Sequence, residues 1–315
     1  MAFFDAVNSI LSIFFMISLG YYLTHISWFK EKTADMFSKV IINISLPALI
    51  IYNLLTTFAK NELLYMWTSL IFPLMGLVFS YLLGIVVANL IGVSQDEKGL
   101  FTALFTFSNT VFIGMPVNLA FFGEKSITVA MLYYIAHTTF FWTVGIYGIK
   151  RDRGDINHNF ISLANLKKIF SPVLIAYLFT NLLIFFELSL PKFLLDTAEY
   201  LSSMTTPLSM IFLGITLYYV KLDNLKFDKK LISLLLGTFL LTPAMVYMIV
   251  FFSGRPDLMQ KVFILEAAMP AMATTPIVAR VYGKNHEYAA LVVGLTTALS
   301  IIIIPFYLFV FSALI

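Results

Sequence analysis

Residues 107–118 read Phe-Ser-Asn-Thr-Val-Phe-Ile-Gly-Met-Pro-Val-Asn, and residues 265–276 read Leu-Glu-Ala-Ala-Met-Pro-Ala-Met-Ala-Thr-Thr-Pro. Both stretches lie in apolar segments, and proline inside a helix removes a backbone hydrogen bond and clashes with the preceding turn. In a membrane, backbone groups freed in this way are tolerated only where protein or a water-filled cavity satisfies them. Both stretches are therefore predicted to be interrupted helices lining a site, with second half-helices that start near Pro116 and Pro276.

The composition of the chain is that of a membrane protein. Of the 315 residues, 60% are hydrophobic and 12% are charged, which fits a bilayer rather than a soluble domain. Runs long enough to cross the hydrocarbon core predict ten spans, at roughly 3–23, 33–56, 65–91, 98–121, 126–149, 167–189, 194–219, 231–253, 259–281 and 287–311. The absence of cysteine excludes disulfides and thiolate metal sites. No cofactor, metal or nucleic-acid partner is expected.

A spacing of 160 residues recurs along the chain. Four residues of the first half return at this spacing in the second half, namely Pro47 as Pro207, Pro116 as Pro276, Gly123 as Gly283 and Ala130 as Ala290. We interpret residues 1–155 and 156–315 as two copies of a five-span unit. Because five is odd, the second copy crosses the membrane in the opposite sense. Such inverted repeats are typical of secondary transporters, whose substrate sites lie near the midplane.

Lys and Arg are distributed unevenly between the loops. The loops after spans 1, 3, 5, 7 and 9 hold thirteen of them and the opposite loops hold five, which leaves Lys39 and Arg280 within spans. Since cytoplasmic loops are enriched in these residues, the odd-numbered loops are predicted to be cytoplasmic and both termini to lie outside the plasma membrane. Lys39 is expected to snorkel to the cytoplasmic interface, whereas Arg280 either snorkels or pairs with an arriving dicarboxylate.

Polar side chains surround both predicted interruptions. The N-termini of the second half-helices would favour an anion near the midplane, whereas the C-termini of the first half-helices would favour a cation. Candidate contacts to a bound carboxylate are Asn109, Thr110, Pro116, Asn118, Thr274, Thr275 and Pro276. The alternative is that the Asn and Thr side chains only satisfy the broken backbone or join neighbouring helices.

Two ionisable residues lie well inside predicted spans, Glu266 in span 9 and His137 in span 5. A carboxylate in the membrane is costly and marks a functional site by default. Glu266 is predicted to carry a coupled proton or bind a cation, the alternative being a protonated side chain that caps broken backbone. His137 either relays a proton or forms a hydrogen bond between helices. No zinc-protease motif, cysteine or aspartate pair in the spans supports an intramembrane enzyme.

These stretches resemble the auxin efflux carrier family, which includes plant auxin carriers and bacterial permeases for malate and related organic acids. The resemblance covers essentially the whole chain and is most specific at Ser45, Leu46, Pro47, Asn109, Thr110, Gly114, Pro116, Gly123, Pro270, Pro276 and Tyr282. It implies that helices 4 and 9 cross at their prolines and that Asn109 contacts a substrate carboxylate. It also implies a scaffold of spans 1, 2, 6 and 7, usually dimeric, and an elevator-like transport domain of spans 3–5 and 8–10.

Two departures from the plant members refine this interpretation. Glu266 stands where plant carriers usually have glutamine, which argues against auxin-type uniport, and the central loop at about 150–166 is as short as in compact prokaryotic members. The prediction is an all-α membrane protein of ten helices, carrying a small organic anion such as malate with proton or sodium coupling. The alternatives are a sodium-coupled symporter with the architecture of bile-acid carriers, and a membrane sensor.

Overall fold

The residues that the computed structural model describes, 2–57, 66–151, 170–219 and 227–313, form twelve helical segments. They are α1 (Ala2–His25), α2 (Glu31–Thr57), α3 (Thr68–Leu90), α4 (Lys98–Thr106), α5 (Thr110–Phe122), α6 (Lys125–Lys150), α7 (Pro172–Phe185), α8 (Lys192–Tyr218), α9 (Lys229–Phe251), α10 (Asp257–Ala267), α11 (Thr275–Val281) and α12 (His286–Ala313). In these ranges the only β-type pairing is an isolated bridge between Ser108 and Ala271.

Half of these helices are long and apolar enough to cross a membrane. They are α2, α3, α6, α8, α9 and α12, while α5, α7 and the part of α1 from Leu11 to His25 are shorter apolar helices. Large apolar side chains such as Phe15, Leu90 and Phe251 are exposed on the helix surfaces, where a bilayer would cover them. The prediction of an all-α, multi-pass membrane protein is confirmed.

Several predictions concern residues outside the described ranges. These residues are the central loop beyond Arg151, the first three residues of predicted span 6, and the loop cations Lys60, Arg153, Lys167, Lys168, Lys221 and Lys226.

The predicted interruption of both segments is confirmed. Helix α4 ends at Thr106, where the chain becomes extended, and α5 opens with a π-helical turn before its α-helical part starts at Met115. Helix α10 ends at Ala267 and α11 starts at Thr275. Pro276 is the second residue of α11, a position where the missing N–H has no intrahelical partner to lose. Pro116 is the second residue of the α-helical part of α5 and directly follows the π-helical turn.

The chain folds into two compact units, and each combines segments from both halves of the sequence. Unit 1 consists of Met1–Ser69, Val111–Leu132 and Phe170–Tyr219, and unit 2 of Leu70–Thr110, Tyr133–Ile169 and Val220–Ile315.

In unit 1, α1 packs against the second half of α8 at a pair of glycines. A Cβ atom on Gly214 would overlap the Ile17 carbonyl oxygen, and one on Gly20 would overlap the Ile211 carbonyl oxygen. Small residues at such contacts allow two membrane helices to bring their backbones together. Helix α2 packs against α7 and α8, and α5 packs against α1 and α8.

Helix α4 lies at the centre of unit 2. All its residues from Gly99 to Thr106 are buried, and it packs against α3, α6, α9 and α12. A Cβ atom on Gly99 would overlap the Gly148 carbonyl oxygen of α6, so these two backbones also touch. Because α4 is enclosed along its length, residues 107–109 that follow it emerge in the interior of the unit.

Charged residues connect the loops at one end of unit 2. Lys230 Nζ lies 2.8 Å from Glu97 Oε2, and Lys284 Nζ donates to the Asp96 carbonyl at 3.0 Å. A hydrogen bond from the Ser94 side chain holds the pKa of the Asp96 carboxyl below its usual range. These contacts join the loops after predicted spans 3, 7 and 9. Tyr282, two residues before Lys284, also contacts another helix: Lys150 Nζ at the end of α6 lies 5.0 Å from the centroid of its ring.

Backbone conformations repeat at the 160-residue spacing. Among the described residues, Ser27 and Glu187 are the non-glycine residues with positive φ, at 63° and 56°. This conformation is uncommon for residues other than glycine. Gly123 and Gly283, which follow the second half-helices, also have positive φ, at 71° and 64°.

Candidate functional site

The two interrupted segments meet inside unit 2 through their backbones. The Asn109 amide donates to the Pro270 carbonyl at 2.7 Å, and the Met272 amide donates to the Phe107 carbonyl at 2.9 Å. The end of a helix leaves N–H and C=O groups without intrahelical partners, and each segment supplies partners for the other. We call this contact the crossing; it comprises residues 107–109 and 270–272.

The resemblance implies a crossing at the prolines of both segments. The second segment does cross at a proline, Pro270, whereas the first crosses at residues 107–109, before Pro116, which belongs to unit 1. The physical reason is the supply of free backbone groups. Residues between the half-helices have unused N–H and C=O groups, whereas proline has no N–H to donate.

Side chains from neighbouring helices bind the remaining backbone groups. The Ala271 amide donates to Thr296 Oγ1 of α12 at 3.1 Å. The Ser108 amide donates to His137 Nε2 of α6 at 3.0 Å, and the Ser108 hydroxyl donates to the Glu266 carbonyl at 2.7 Å. The crossing is therefore attached to two further helices of unit 2, α6 and α12, in addition to its own segments.

The carbonyl groups at the end of α4 have partners on α9. Thr242 Oγ1 donates to the Phe105 carbonyl at 3.2 Å, and Thr238 Oγ1 donates to the Leu104 carbonyl at 3.5 Å. Residues four apart lie on one face of a helix, so both hydroxyls point towards the same helix end. A buried polar group without a partner costs about 1–3 kcal/mol, and these bonds remove that cost.

Glu266 is fully buried at the end of α10, with 0% of its surface exposed. Its carboxyl lies within electrostatic range of Tyr133 on α6. The Tyr133 ring stacks on the His137 ring with centroids 6.2 Å apart, and the Phe107 ring meets His137 edge-on at 5.3 Å. The structure therefore brings both predicted ionisable residues to the crossing.

The predicted hydrogen-bond donors of unit 2 also lie at or beside the crossing. Asn109 and Thr110 are buried, with 6% and 3% exposure. The Thr275 amide donates to the Met272 carbonyl at 3.0 Å, which ties the start of α11 to the crossing. The hydroxyls of Thr274 and Thr275 are buried and have no hydrogen-bond partner in the described part of the chain. These hydroxyls could donate to an oxygen atom of a ligand.

Other residues that the sequence singles out are not part of the crossing. Pro116 and Asn118 belong to α5 in unit 1, where Asn118 Nδ2 donates to the Gly114 carbonyl at 2.9 Å. That bond fits the alternative in which an Asn satisfies interrupted backbone. Lys39 is exposed on α2, and Arg280 is exposed on α11.

Sequence reasoning does not single out four residues that hold the crossing and the end of α4 in place. These are Ser108, Thr238, Thr242 and Thr296. One signal was available for two of them, because Thr238 and Thr242 are polar residues one turn apart in an otherwise apolar span. The partner of such a pair on another helix is visible only in the structure.

Comparison with known proteins gives consistent results over nearly the whole chain. A family model described as membrane transport protein matches residues 5–308. An uncharacterized transporter from Methanocaldococcus jannaschii is 24% identical over 306 residues, which cover 96% of this chain and 97% of that protein. An uncharacterized transporter from Methanothermobacter thermautotrophicus is 26% identical over 311 residues, which cover 98% and 99%. The chain belongs to the membrane transport protein family, that of the auxin efflux carriers.

Proposed function

We propose that this protein is a secondary carrier that moves a small organic anion across the plasma membrane by alternating access. The observation that carries the proposal is the crossing, in which non-helical backbone lies buried inside a membrane protein. Such backbone is tolerated at membrane depth where it is enclosed by protein or lines a cavity. Interrupted helices of this kind form the substrate sites of many secondary transporters. Membership of a transport family supports the same function.

A carboxylate is the class of substrate that suits the side chains at the crossing. Asn109 is the proposed principal contact, with Thr110, Thr274 and Thr275 as further donors. All four lie in unit 2, at or next to the backbone bonds that fix residues 107–109 and 270–272. Pro116, Asn118 and Pro276 stay candidates on the sequence alone. Malate is the example that the family resemblance suggests.

We further propose that the ten spans form two inverted five-helix repeats. The positive-φ residues at equivalent positions support two copies of one unit. Contacts between the loops after spans 3, 7 and 9 support a common side for these odd-numbered loops. The excess of Lys and Arg in the odd-numbered loops assigns that side to the cytoplasm, so both termini lie outside.

The proposed movement assigns different tasks to the two groups of spans. Spans 1, 2, 6 and 7 form the scaffold of a homodimer, and spans 3–5 and 8–10 carry the substrate in an elevator-like motion. Unit 2 has its own core and contains the crossing, which supports motion of unit 2 as one body. Unit 2 holds most of spans 3–5 and 8–10, whereas α5 from Val111 onwards and the first residues of α6, Lys125 to Leu132, belong to unit 1. Glu266 is the proposed coupling group, since a buried carboxyl can bind either a proton or a sodium ion.

The experiment that tests this function is uptake of a panel of labelled mono- and dicarboxylates, including malate, into proteoliposomes. Proton and sodium gradients are imposed separately, and protein-free liposomes serve as the control. We expect saturable uptake of at least one carboxylate, and accumulation when the proton gradient is applied. Accumulation that requires sodium instead would support the sodium-coupled alternative. Binding of carboxylates without flux would overturn the carrier and support a sensor.

A further inference from the structure

We propose that His137 is a positioning residue that fixes the crossing, acting as a neutral ring whose proton lies on Nδ1. The sequence leaves two roles open for this residue, a proton relay and an interhelical hydrogen bond. The hydrogen-bond geometry decides between these roles and does not depend on the proposed function. Only the consequence for proton coupling rests on that function.

The direction of the hydrogen bond specifies the form of the ring. A backbone amide can only donate, and the Ser108 amide lies 3.0 Å from His137 Nε2. Nε2 must therefore present its lone pair, so the proton of the neutral ring is on Nδ1. Protonation of Nε2 would place two N–H donors against each other and break this bond. His137 cannot be the proton carrier while the crossing is formed.

The surroundings of the ring make this hydrogen bond its principal anchor. His137 is fully buried, with Tyr133 stacked on one side and the edge of Phe107 on another. Within the described residues, Nδ1 has no hydrogen-bond partner. Loss of the bond to Ser108 would leave the ring without a polar contact to the described chain and would leave a buried amide unsatisfied.

The effect of His137 passes through Ser108 to the proposed substrate and coupling residues. Ser108 is bound to His137 by its amide and to the Glu266 carbonyl by its hydroxyl, and it directly precedes Asn109. The titratable groups at this point are Tyr133 on the same helix as His137 and Glu266 on α10. The proposal assigns proton coupling to Glu266 and the placement of Ser108 to His137.

Nitrogen NMR of histidine-labelled protein in lipid tests the form of the ring directly. The chain has 4 histidines, and the spectrum of a His137→Gln variant identifies the signals of His137. We expect an unprotonated Nε2 and a protonated Nδ1 from about pH 8 to about pH 5, a range in which an exposed histidine gains a proton. A ring protonated on both nitrogens within this range, or a proton on Nε2, would overturn the proposal.

Two substitutions test the positioning role. His137→Gln retains an acceptor oxygen at about the distance of Nε2, whereas His137→Leu removes the acceptor. Hydrogen exchange of peptides containing Ser108 should be close to that of the parent in the Gln variant and about tenfold faster in the Leu variant. His286→Leu, at the start of α12, is the control. Equal protection in the Leu variant and the parent would contradict the proposal.

The pH profile of transport separates positioning from proton carriage. In the Gln variant, the pH at which uptake is half-maximal should equal that of the parent, because the ring does not titrate in the crossing. A displaced midpoint would identify His137 as a proton carrier and overturn the proposal. If the His137→Leu variant does not fold, the NMR spectrum of the parent and the measurements on the His137→Gln variant still test the proposal. Neither NMR nor hydrogen exchange requires transport, so failure of the proposed function would be recognised separately.

Discussion

Asn109 takes part in the crossing through its backbone amide, which donates to the Pro270 carbonyl at 2.7 Å. This bond does not involve the side chain, so the carboxamide can be removed without removing the bond. A substitution of the side chain therefore tests the proposed contact to substrate while the backbone bond is retained. Glu266 allows a similar test, because its backbone carbonyl accepts from Ser108 while its carboxyl is the proposed coupling group.

The first prediction concerns the carboxamide of Asn109. In Asn109→Ala, the affinity for the transported carboxylate should fall about tenfold to a hundredfold, since hydrogen bonds to charged groups contribute about 1.5–3 kcal/mol. The variant should still unfold in a cooperative thermal transition, because the backbone bond to the Pro270 carbonyl is retained. The concentration dependence of uptake and a thermal unfolding curve measure the two quantities. Asn43→Ala is the control, because it removes an exposed hydrogen bond to the Lys39 carbonyl. Unchanged affinity in the Asn109 variant would contradict the proposed contact between Asn109 and the substrate.

The second prediction concerns the carboxyl of Glu266. Glu266→Gln retains the size and the backbone carbonyl of the residue but cannot release a proton. We expect it to lose accumulation driven by a proton gradient while exchange of labelled for unlabelled substrate continues. Glu287→Gln makes the same chemical change at an exposed position in the first turn of α12. Full proton-driven accumulation in the Glu266 variant would rule out proton coupling through this residue.

Between elements, close contacts of glycines determine how helices pack within each unit. Gly20 and Gly214 bring α1 against α8 in unit 1, and Gly99 and Gly148 bring α4 against α6 in unit 2. At Gly20, Gly99 and Gly214 an added Cβ atom would overlap backbone atoms, which cannot rotate away as a side chain can, whereas at Gly148 it would overlap the Tyr81 hydroxyl. The contact between α4 and α6 also holds the helix that carries His137 beside the segment that leads to Ser108.

The third prediction tests one of these contacts. Gly214→Ala should destabilise the protein by about 1–3 kcal/mol, the usual cost of overpacking, and thermal unfolding in detergent should occur at a lower temperature. Gly84→Ala is a matched control, because its Cβ atom would meet side-chain atoms of Thr102 and Phe105 at 3.1 and 3.2 Å. Side chains can move by the few tenths of an ångström required. Equal unfolding temperatures for the two variants would show that α1 and α8 are not closely packed.

At the scale of the whole molecule, the 160-residue spacing makes a prediction about sidedness. Trp28 and Leu188 are exposed residues at equivalent positions, each directly after a residue with positive φ. If the repeats are inverted, equivalent positions face opposite sides of the membrane. The loop containing Trp28 is then cytoplasmic and the loop containing Leu188 is external.

The fourth prediction is opposite labelling of these two positions. The chain contains 0 cysteines, so Trp28→Cys and Leu188→Cys each introduce a single thiol. In intact cells, an impermeant maleimide should label the Leu188 variant and should label the Trp28 variant only after permeabilisation. The parent protein is the unlabelled control. Labelling of both variants from the same side would exclude an inverted arrangement of the two halves.

The sequence predicts that both segments are interrupted, but it does not predict which groups bind the interrupted backbone. The π-helical turn before Met115 and the break before Thr275 were predictable because proline acts on its own turn, whereas the break at residues 107–109 lies too far before Pro116 for that effect. The position of the crossing was not, since it depends on which distant groups come within hydrogen-bond reach. His137 and Thr296 reach the crossing from α6 and α12, and no local pattern encodes these partners. Orientation and the inverted repeat stay predictions.

The two bonds that join the interrupted segments connect backbone amides of residues 109 and 272 to backbone carbonyls of residues 270 and 107. Most amino acids can form such bonds equally well, provided that each donor position is not proline. Selection can therefore replace the side chains at the centre of unit 2 while the framework that presents them stays the same. Descendants of one such gene can acquire different cargoes through few substitutions and without redesign of the fold.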